Sequence, residues 1–585
     1  MADPIRIANC SGFFGDRLSA AREMVEGGPI DVLTGDWLAE LTMLILARTR
    51  AKRPNAGYAH TFVKQMEQVM GTCLEKGIKV VSNAGGLDPD SCAEAVAEAA
   101  GKLGLNPKIA YVRGDDLVSR MSDLIASDQL THFETGEPIK DASAFLTANA
   151  YLGCWGIVDA LEQGADIVIT GRVTDAAVVC GPAAWHHGWS RSDWDALAGG
   201  VAAGHVIECG TQATGGNYSF FNEVPGMTRT GFPFAEVAAD GSSVIGKHEG
   251  TGGEVSIGTV TSQLLYEIGG PEYYGPDVTT RFDTIQLEQI APDRVRMHGI
   301  KGEPPPPTLK VCINRAGGFR NDMSTCLTGL DIEAKAKLIE AAFWEACPYK
   351  PEDYQQVTTR LMRNDRPDPE TNEQAVAILK ISVKDPVQDK VGRAFSNAMT
   401  ELALATIPGF FGVGGGPGSG RAFGVYEPAC VPAKIVPQEV VVLGGETHEI
   451  SSLIPSAKVS VEPAPGPTAT LPSGPTSRAP IGLVVGARSG DKGGNANLGV
   501  FARSDEAWCW IDEFLTLEKL RELLPEIAEM PLDRHRLPAL RSLNFVVHGL
   551  LEEGVAASTR QDGQAKSLGE WLRARVVDVP EALLP

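Results

Sequence analysis

The sequence predicts an α/β protein: a doubly wound parallel sheet, then a β-rich α+β section, then a C-terminal ferredoxin-like α+β domain. Three observations predict it. Within 1–208, five short apolar runs alternate with mostly helical stretches. These runs are apolar at successive positions, the pattern of strands covered on both faces. Near 209 the long helical periodicity fades, and a Pro-, Ser-, Thr- and Gly-rich segment then sets off a last alternating stretch.

The five runs are 5–9, 30–33, 78–81, 108–112 and 166–169. Helical stretches are predicted to about 25 and over 62–76, 91–103 and 154–163. Residues 209–458 form the β-rich section, packed on the first domain and interrupted by helices at 332–344 and about 391–405. The segment 459–480 (SVEPAPGPTATLPSGPTSRAP from 460) has little to bury and is expected to be a flexible linker. The domain 481–585 should contain strands at 481–485, 543–548 and 574–577, with helices at 517–524 and 567–572.

Composition narrows the function classes. The chain has 585 residues, enough for several cores, and a formal net charge of −22. That field repels nucleic acid and anionic lipid, so neither is an expected partner. An anionic substrate would have to be met locally by Arg, Lys or backbone N–H groups. The 11 cysteines are odd in number, widely spaced and without a C-x-x-C, so free thiols are expected. The opening MADPIRIANC lacks the basic-then-apolar pattern of a secretory signal, and no apolar run approaches a membrane span. A cytoplasmic chain is expected.

In open parallel sheets, ligands bind beyond the carboxyl ends of the strands. All five runs end in Gly, Asp, Asn or Ser, and the loops carry Asp16, Asp36, Asp88, Asp115, Asp116 and Asp175. Singly, each loop is an ordinary turn or helix cap. Together they point to a ligand site, because Gly admits a ligand to the backbone and Asp can serve as general base. Asn83, Gly85 and Gly86 stand beside Asp88, and Arg172 brings a fixed cation next to Gly171, suited to a carboxylate or phosphate, with Asp175 in the same loop. Ser11, Gly252, Gly253, Gly414 and Gly415 are further binding candidates. The run 412–421 is the richest in Gly, yet it matches neither the dinucleotide fingerprint nor a P-loop. No zinc motif or G-x-S-x-G elbow occurs, so no metal and no cofactor are expected. After the strand at 481–485, a polar loop brings Arg488, Asp491, Lys492 and Asn495 together with four glycines, as a ligand or interdomain contact.

At these loops the sequence resembles the acyclic terpene utilisation AtuA family. The segments are SGFFGD at 11–16, DVLTGD at 31–36, SNAGGLD at 82–88, ADIVITGR at 165–172 with Thr174 and Asp175, QLLYE at 263–267, and Pro276 with Asp277. The closing domain resembles that family's ferredoxin-fold tail through ARSGDKGGN at 487–495. The resemblance implies a bacterial catabolic protein, acting where acyclic terpenes are degraded through branched acyl-CoA intermediates. It assigns no catalytic residue.

Three functions follow as expectations. The first is a lyase or hydratase of a branched-chain or terpenoid acyl-CoA or carboxylic acid. Asp16, Asp88 and Asp175 are its acids and bases, and Arg172 with the Gly85 and Gly86 backbone holds the developing negative charge. Arg488 and Lys492 then reach coenzyme A phosphates. The second is a scaffold or activator of an acyl-CoA carboxylase. The third is a hydrolase of a small carboxylic substrate without coenzyme A. A homo-oligomer is expected on general grounds.

Overall fold

The computed structural model describes residues 3–143, 145–413, 418–452 and 460–585. The chain divides into two compact units: 1–314 with 426–555 and 564–585, and 315–425 with 556–563.

The first unit is built on a mixed α/β sheet. Its centre is five parallel strands: β1 (Ile5–Asn9), β2 (Val32–Gly35), β3 (Lys79–Ser82), β4 (Ile109–Arg113) and β5 (Ile167–Thr170). They lie in the order β1-β2-β3-β5-β4. Successive side chains enter different cores, which is why each run is apolar throughout. Ile7, Val32, Val81, Ala110 and Val168 join one core, and Ala8, Leu33, Val80, Tyr111 and Ile169 the other.

Helices cover both faces, as a doubly wound sheet requires. The second core is closed by α1 (Ala20–Gly27), α2 (Glu40–Lys52), α3 (His60–Lys76) and α4 (Pro89–Lys102). The first is closed by α5 (Trp155–Glu162), α6 (Ala177–His187) and α7 (Trp194–Ile207). From Ala196 to Ile207 every residue of α7 is buried. Antiparallel strands extend both edges. Beyond β1 come β6 (Pro233–Val237), β7 (Ser243–Lys247), and the hairpin of β8 (Gln286–Ala291) and β9 (Arg294–His298). Beyond β4 come β10 (Glu439–Val442) and β11 (Thr447–Glu449). A short helix, α8 (Ile257–Leu264), starts at a capping box of Ser256 and Thr259.

The C-terminal part of this unit carries the ferredoxin-like domain. Four antiparallel strands, β12 (Val485–Lys492), β13 (Asn495–Ala502), β14 (Leu532–Leu537) and β15 (Ser542–Val547), lie in the order β12-β13-β15-β14. Helices α9 (Asp505–Phe514) and α10 (Leu517–Leu523) are capped by the Ser504 and Thr516 hydroxyls, and α11 (Leu568–Arg573) follows near the end. The polar segment after the expected strand 481–485 is itself the hairpin β12–β13, a difference from the sequence reading. Its glycines mark close packing. A Cβ on Gly486 would lie 2.1 Å from the Phe501 ring, and one on Gly490 would lie 2.6 Å from Tyr266. The segment before it, 460–475, bonds to its surroundings: Val461 O accepts from Arg281, and Ala464 N–H donates to Asp283 O.

In the second unit, strands Gln356–Met362 and Val376–Asp385 pair antiparallel, the latter also with Phe319 to Thr328. Helices Ile332–Ala346 and Arg393–Glu401 pack on them around Leu379, Ile381, Phe343 and Phe395.

Candidate functional site

The loops after β1 to β5, together with the end of α7, are laced around a set of charges, most of them buried. Asn9, the last residue of β1, donates to the carbonyls of Ile207 and Glu208 (2.7 Å to the latter) and accepts from Ser11 N–H at 2.7 Å. Gly12 lies on the Cys209 backbone, where a Cβ would come within 2.5 Å of the carbonyl carbon. Asp36 N–H donates to Ser11 O at 2.9 Å. The Asp36 carboxylate accepts from Leu38 N–H (3.0 Å) and from the Asn83 amide, while Asn83 Oδ1 accepts from Trp37 N–H at 2.8 Å.

Arg172 is the fixed cation of the set. It is 2% exposed. Its Nη1 donates to Asp175 Oδ1 at 2.5 Å and to Val173 O at 3.1 Å, and its guanidinium lies 4.1 Å from the centre of the Tyr151 ring. Its Nε has no hydrogen-bond partner among the described residues. Asp115, at the end of β4, positions this loop: it accepts from Arg172 N–H at 2.9 Å and from Asn149 at 2.7 Å. Gly171 admits that contact, since a Cβ there would lie 2.4 Å from Asp115 Oδ1. Burial, chiefly, pushes the Asp115 carboxyl up to about 7.

Two more carboxyls face this pair. Burial raises both Asp36 and Glu208 well above the ordinary carboxylate range, and the nearby Asp175 charge reinforces it. Burial opposes the Arg172 charge, but Asp175, Tyr151 and Asp36 outweigh it and keep the guanidinium protonated. His205, one turn before Glu208, has its Nδ1 3.4 Å from Glu208 Oε1. Burial, then Lys492, pushes the imidazole down to about 4, so at neutral pH it is uncharged and the contact is not an ion pair. Both His205 nitrogens and Glu208 Oε2 lack hydrogen-bond partners among the described residues. The site thus joins one ion pair to two carboxyls that burial shifts toward the protonated form, an arrangement suited to holding an anion and exchanging protons with it.

The C-terminal hairpin completes the site. Asn497 accepts from Glu267 N–H at 2.8 Å and donates to Leu265 O at 2.8 Å, and Asn544 donates to Ile268 O at 3.3 Å. Glu267, so gripped, has a left-handed backbone, φ 56°. That conformation is uncommon for a residue with a side chain. Lys492 Nζ donates to Glu267 O at 2.7 Å. Burial, then the Lys310 charge, pushes its amine down to about 8. Lys310 itself stands among the rings of Tyr151, Phe133 and Tyr426 at 5.0, 5.6 and 5.9 Å.

The structure brings some of the expected residues together and sets others apart. Ser11, Asn83, Arg172, Asp175 and Lys492 belong to the laced set. Asp16 closes its own turn, accepting from Gly12 N–H (3.0 Å) and Arg17 N–H (2.8 Å). Asp88 lies beside Gly57 and Asp90, and its carboxyl is not among the strongest charges acting on Asp36, Arg172 or Glu208. Gly85 and Gly86 serve packing: a Cβ on Gly85 would lie 2.5 Å from Thr170 O, and Gly86 N–H donates to Asn83 O. Gly252 and Gly253 pack on the backbone of Gly226 and Thr214. Gly414 and Gly415 lie outside the described residues. Arg488 donates to Gln212 and lies 4.2 Å from the centre of the Tyr266 ring. Asp491 is 3.3 Å from Lys566, and burial raises its carboxyl to about 7. Asn495 bridges Glu134 and Gly549 N–H.

Sequence reasoning missed Glu208, His205, Glu267, Lys310 and Tyr151. One signal for Glu208 was present: it follows a helix apolar on every side, so its carboxylate had nowhere exposed to go.

No curated protein and no solved structure matches the chain. The model of the AtuA ferredoxin-like domain matches residues 480–578, which contain the hairpin with Lys492. The model described as acyclic terpene utilisation family protein AtuA matches residues 5–442, which contain every strand-end loop of the site. The chain therefore belongs to the acyclic terpene utilisation family AtuA.

Proposed function

We propose that the chain is an enzyme of acyclic terpene utilisation, performing lyase or hydratase acid–base chemistry on a branched-chain or terpenoid acyl compound, as coenzyme A thioester or free acid. The observation that carries this reading is the pair of buried Arg172 with half-buried Asp175, beside two carboxyls that burial shifts toward the protonated form, Asp36 and Glu208. Hydration of a conjugated acyl group and its reverse need one group to take a proton from oxygen and another to give one to the carbon beside the carbonyl. Asp175, next to Arg172, is suited to the first task, and Glu208, which burial shifts toward its neutral form, to the second. Arg172, with an unmet Nε–H, is suited to the negative charge that develops on the acyl oxygen. Asp16 and Asp88, engaged elsewhere, have no step in this scheme.

The test is a panel of branched acyl-CoAs and their free acids, screened by thermal shift and then incubated with the protein in D2O. The reading expects a ligand that raises the melting temperature and incorporates deuterium beside its carbonyl. Binding without exchange or mass change would favour the alternative of a scaffold or activator of an acyl-CoA carboxylase, examined by pull-down of carboxylase subunits. Release of a free acid from a substrate lacking coenzyme A would favour the hydrolase. Cytoplasmic location and homo-oligomeric assembly belong to the proposal, and fractionation and sedimentation test them. No helix among the described residues is long and apolar enough to cross a membrane.

A further inference from the structure

Lys492 is an unusual lysine. It ends β12, where the hairpin meets the segment around Glu267, and a protonated amine there would have three N–H donors to place. Among the described residues it meets one acceptor, the Glu267 carbonyl at 2.7 Å, and no carboxylate oxygen lies within ion-pair distance. The centre of the half-buried Tyr273 ring lies 5.8 Å from Nζ. The charges acting on it are the like charge of Lys310 and the opposite charges of Glu267, Glu40 and Asp175. With a single protein acceptor for its N–H groups the ammonium is under-paired, and burial outweighs the opposite charges and favours the neutral amine, with two N–H groups and a lone pair. A desolvated amine beside a second cation is a standing route to a nucleophilic lysine.

We propose that Lys492 is a covalent amine whose Nζ condenses with a ketone or aldehyde carbonyl of the substrate. The inference rests on the reading of this site as an acid–base centre and narrows its substrates to acyl compounds that also carry such a carbonyl. The step balances as follows. The amine nitrogen bonds to the carbonyl carbon, and one amine proton moves to the oxygen. A protonated acid, for which Glu208 is placed in the same charge set, gives a second proton. The oxygen leaves as water, the acid becomes its carboxylate, and a protonated imine remains on Nζ. That cation draws the electron pair of an adjacent C–H or C–C bond when the bond breaks, and hydrolysis restores the amine. No external oxidant or reductant is needed.

Formaldehyde tests the amine without knowledge of the substrate. The folded full-length chain is treated with formaldehyde and cyanoborohydride at pH 7.5, and methylation of each lysine is followed by peptide mass spectrometry. An amine titrating near 8 is free about 200-fold more often at that pH than an ordinary lysine near 10.4. After allowance for its lower basicity, Lys492 should be methylated at least about ten-fold faster than the exposed Lys140. Lys310→Met, which removes the neighbouring charge, should slow Lys492 methylation several-fold and leave Lys140 unchanged. Methylation of Lys492 slower than that of Lys140 would overturn the proposal, as would full turnover by Lys492→Arg on any substrate the acyl panel yields. Glu208→Gln separates the two readings. Fast Lys492 methylation in a Glu208→Gln chain that still turns over removes the acid–base role of Glu208 and leaves the amine standing.

Discussion

Replacing Arg172 by Met keeps much of the side-chain volume and removes the charge. The structure sets the expected cost. Breaking a buried ion pair by removing one partner costs about 3–5 kcal/mol, because the other charge is left without compensation. Asp175 is 29% exposed on its side chain, so water recovers part of that loss. The lost stacking on Tyr151 adds about 1–2 kcal/mol. Arg172→Met should therefore lose about 3–5 kcal/mol, and Asp175→Asn about 1–2 kcal/mol. The double variant should be less damaged than the two losses together by at least about 1 kcal/mol, since the second change removes a charge the first had orphaned. Urea unfolding followed by tryptophan fluorescence reads these values, because Trp37 is buried and its backbone N–H donates to Asn83 in the same set. Arg172→Met within about 0.5 kcal/mol of the parent chain, or strict additivity of the two changes, would refute the pairing.

Four further outcomes follow from the same contacts. Asp115 keeps its proton up to about 7 in the fold and ionises near 4 when unfolded, so its contribution to stability declines as pH rises from about 4 to 7. Relative to Asp115→Asn, the parent chain should lose about 2–4 kcal/mol across that range, read from urea midpoints. His205 has the opposite sense: its folded value is about 4 against about 6.5 unfolded, so stability is lost as pH falls through that window, and His205→Gln should flatten this acid limb. Gly12→Ala should cost about 2–3 kcal/mol, seen as a lower thermal midpoint, because its Cβ meets the Cys209 backbone, which cannot move aside cheaply. Asn497→Ala should speed hydrogen exchange at the amides of Leu265 to Gly269 by more than ten-fold while β1 to β5 stay protected, since it frees Glu267 N–H and Leu265 O together.

Much of the first domain was legible because its strands are buried on both faces and end in turn residues. The five runs fall within one or two residues of β1 to β5, and the helices at 62–76, 91–103 and 154–163 are α3, α4 and α5. Helix α2 was not legible: Met43, Leu44, Ile45 and Leu46 are consecutive, so no helical period shows, and only its tertiary setting fixes it. The hairpin β12–β13 was masked by its own glycines, which look like loop composition but sit where Phe501, Tyr266 and Leu265 approach the backbone. Arg172 and Asp175 could be paired from sequence because they are three residues apart on one loop. Glu208, Glu267 and Lys310 could not, because they come from a helix end, a left-handed turn and a distant strand that only folding brings to the same charges.

The most direct test compares deuterium incorporation into the best-binding acyl substrate by the parent chain and by Glu208→Gln, Asp175→Asn and Asp88→Asn. The account predicts that the first two variants bind the substrate and lose about 100-fold or more of the exchange rate, in line with removal of a general acid or base, while Asp88→Asn exchanges like the parent. Normal exchange by Glu208→Gln and Asp175→Asn, with loss in Asp88→Asn, would contradict it and move the chemistry to Asp88.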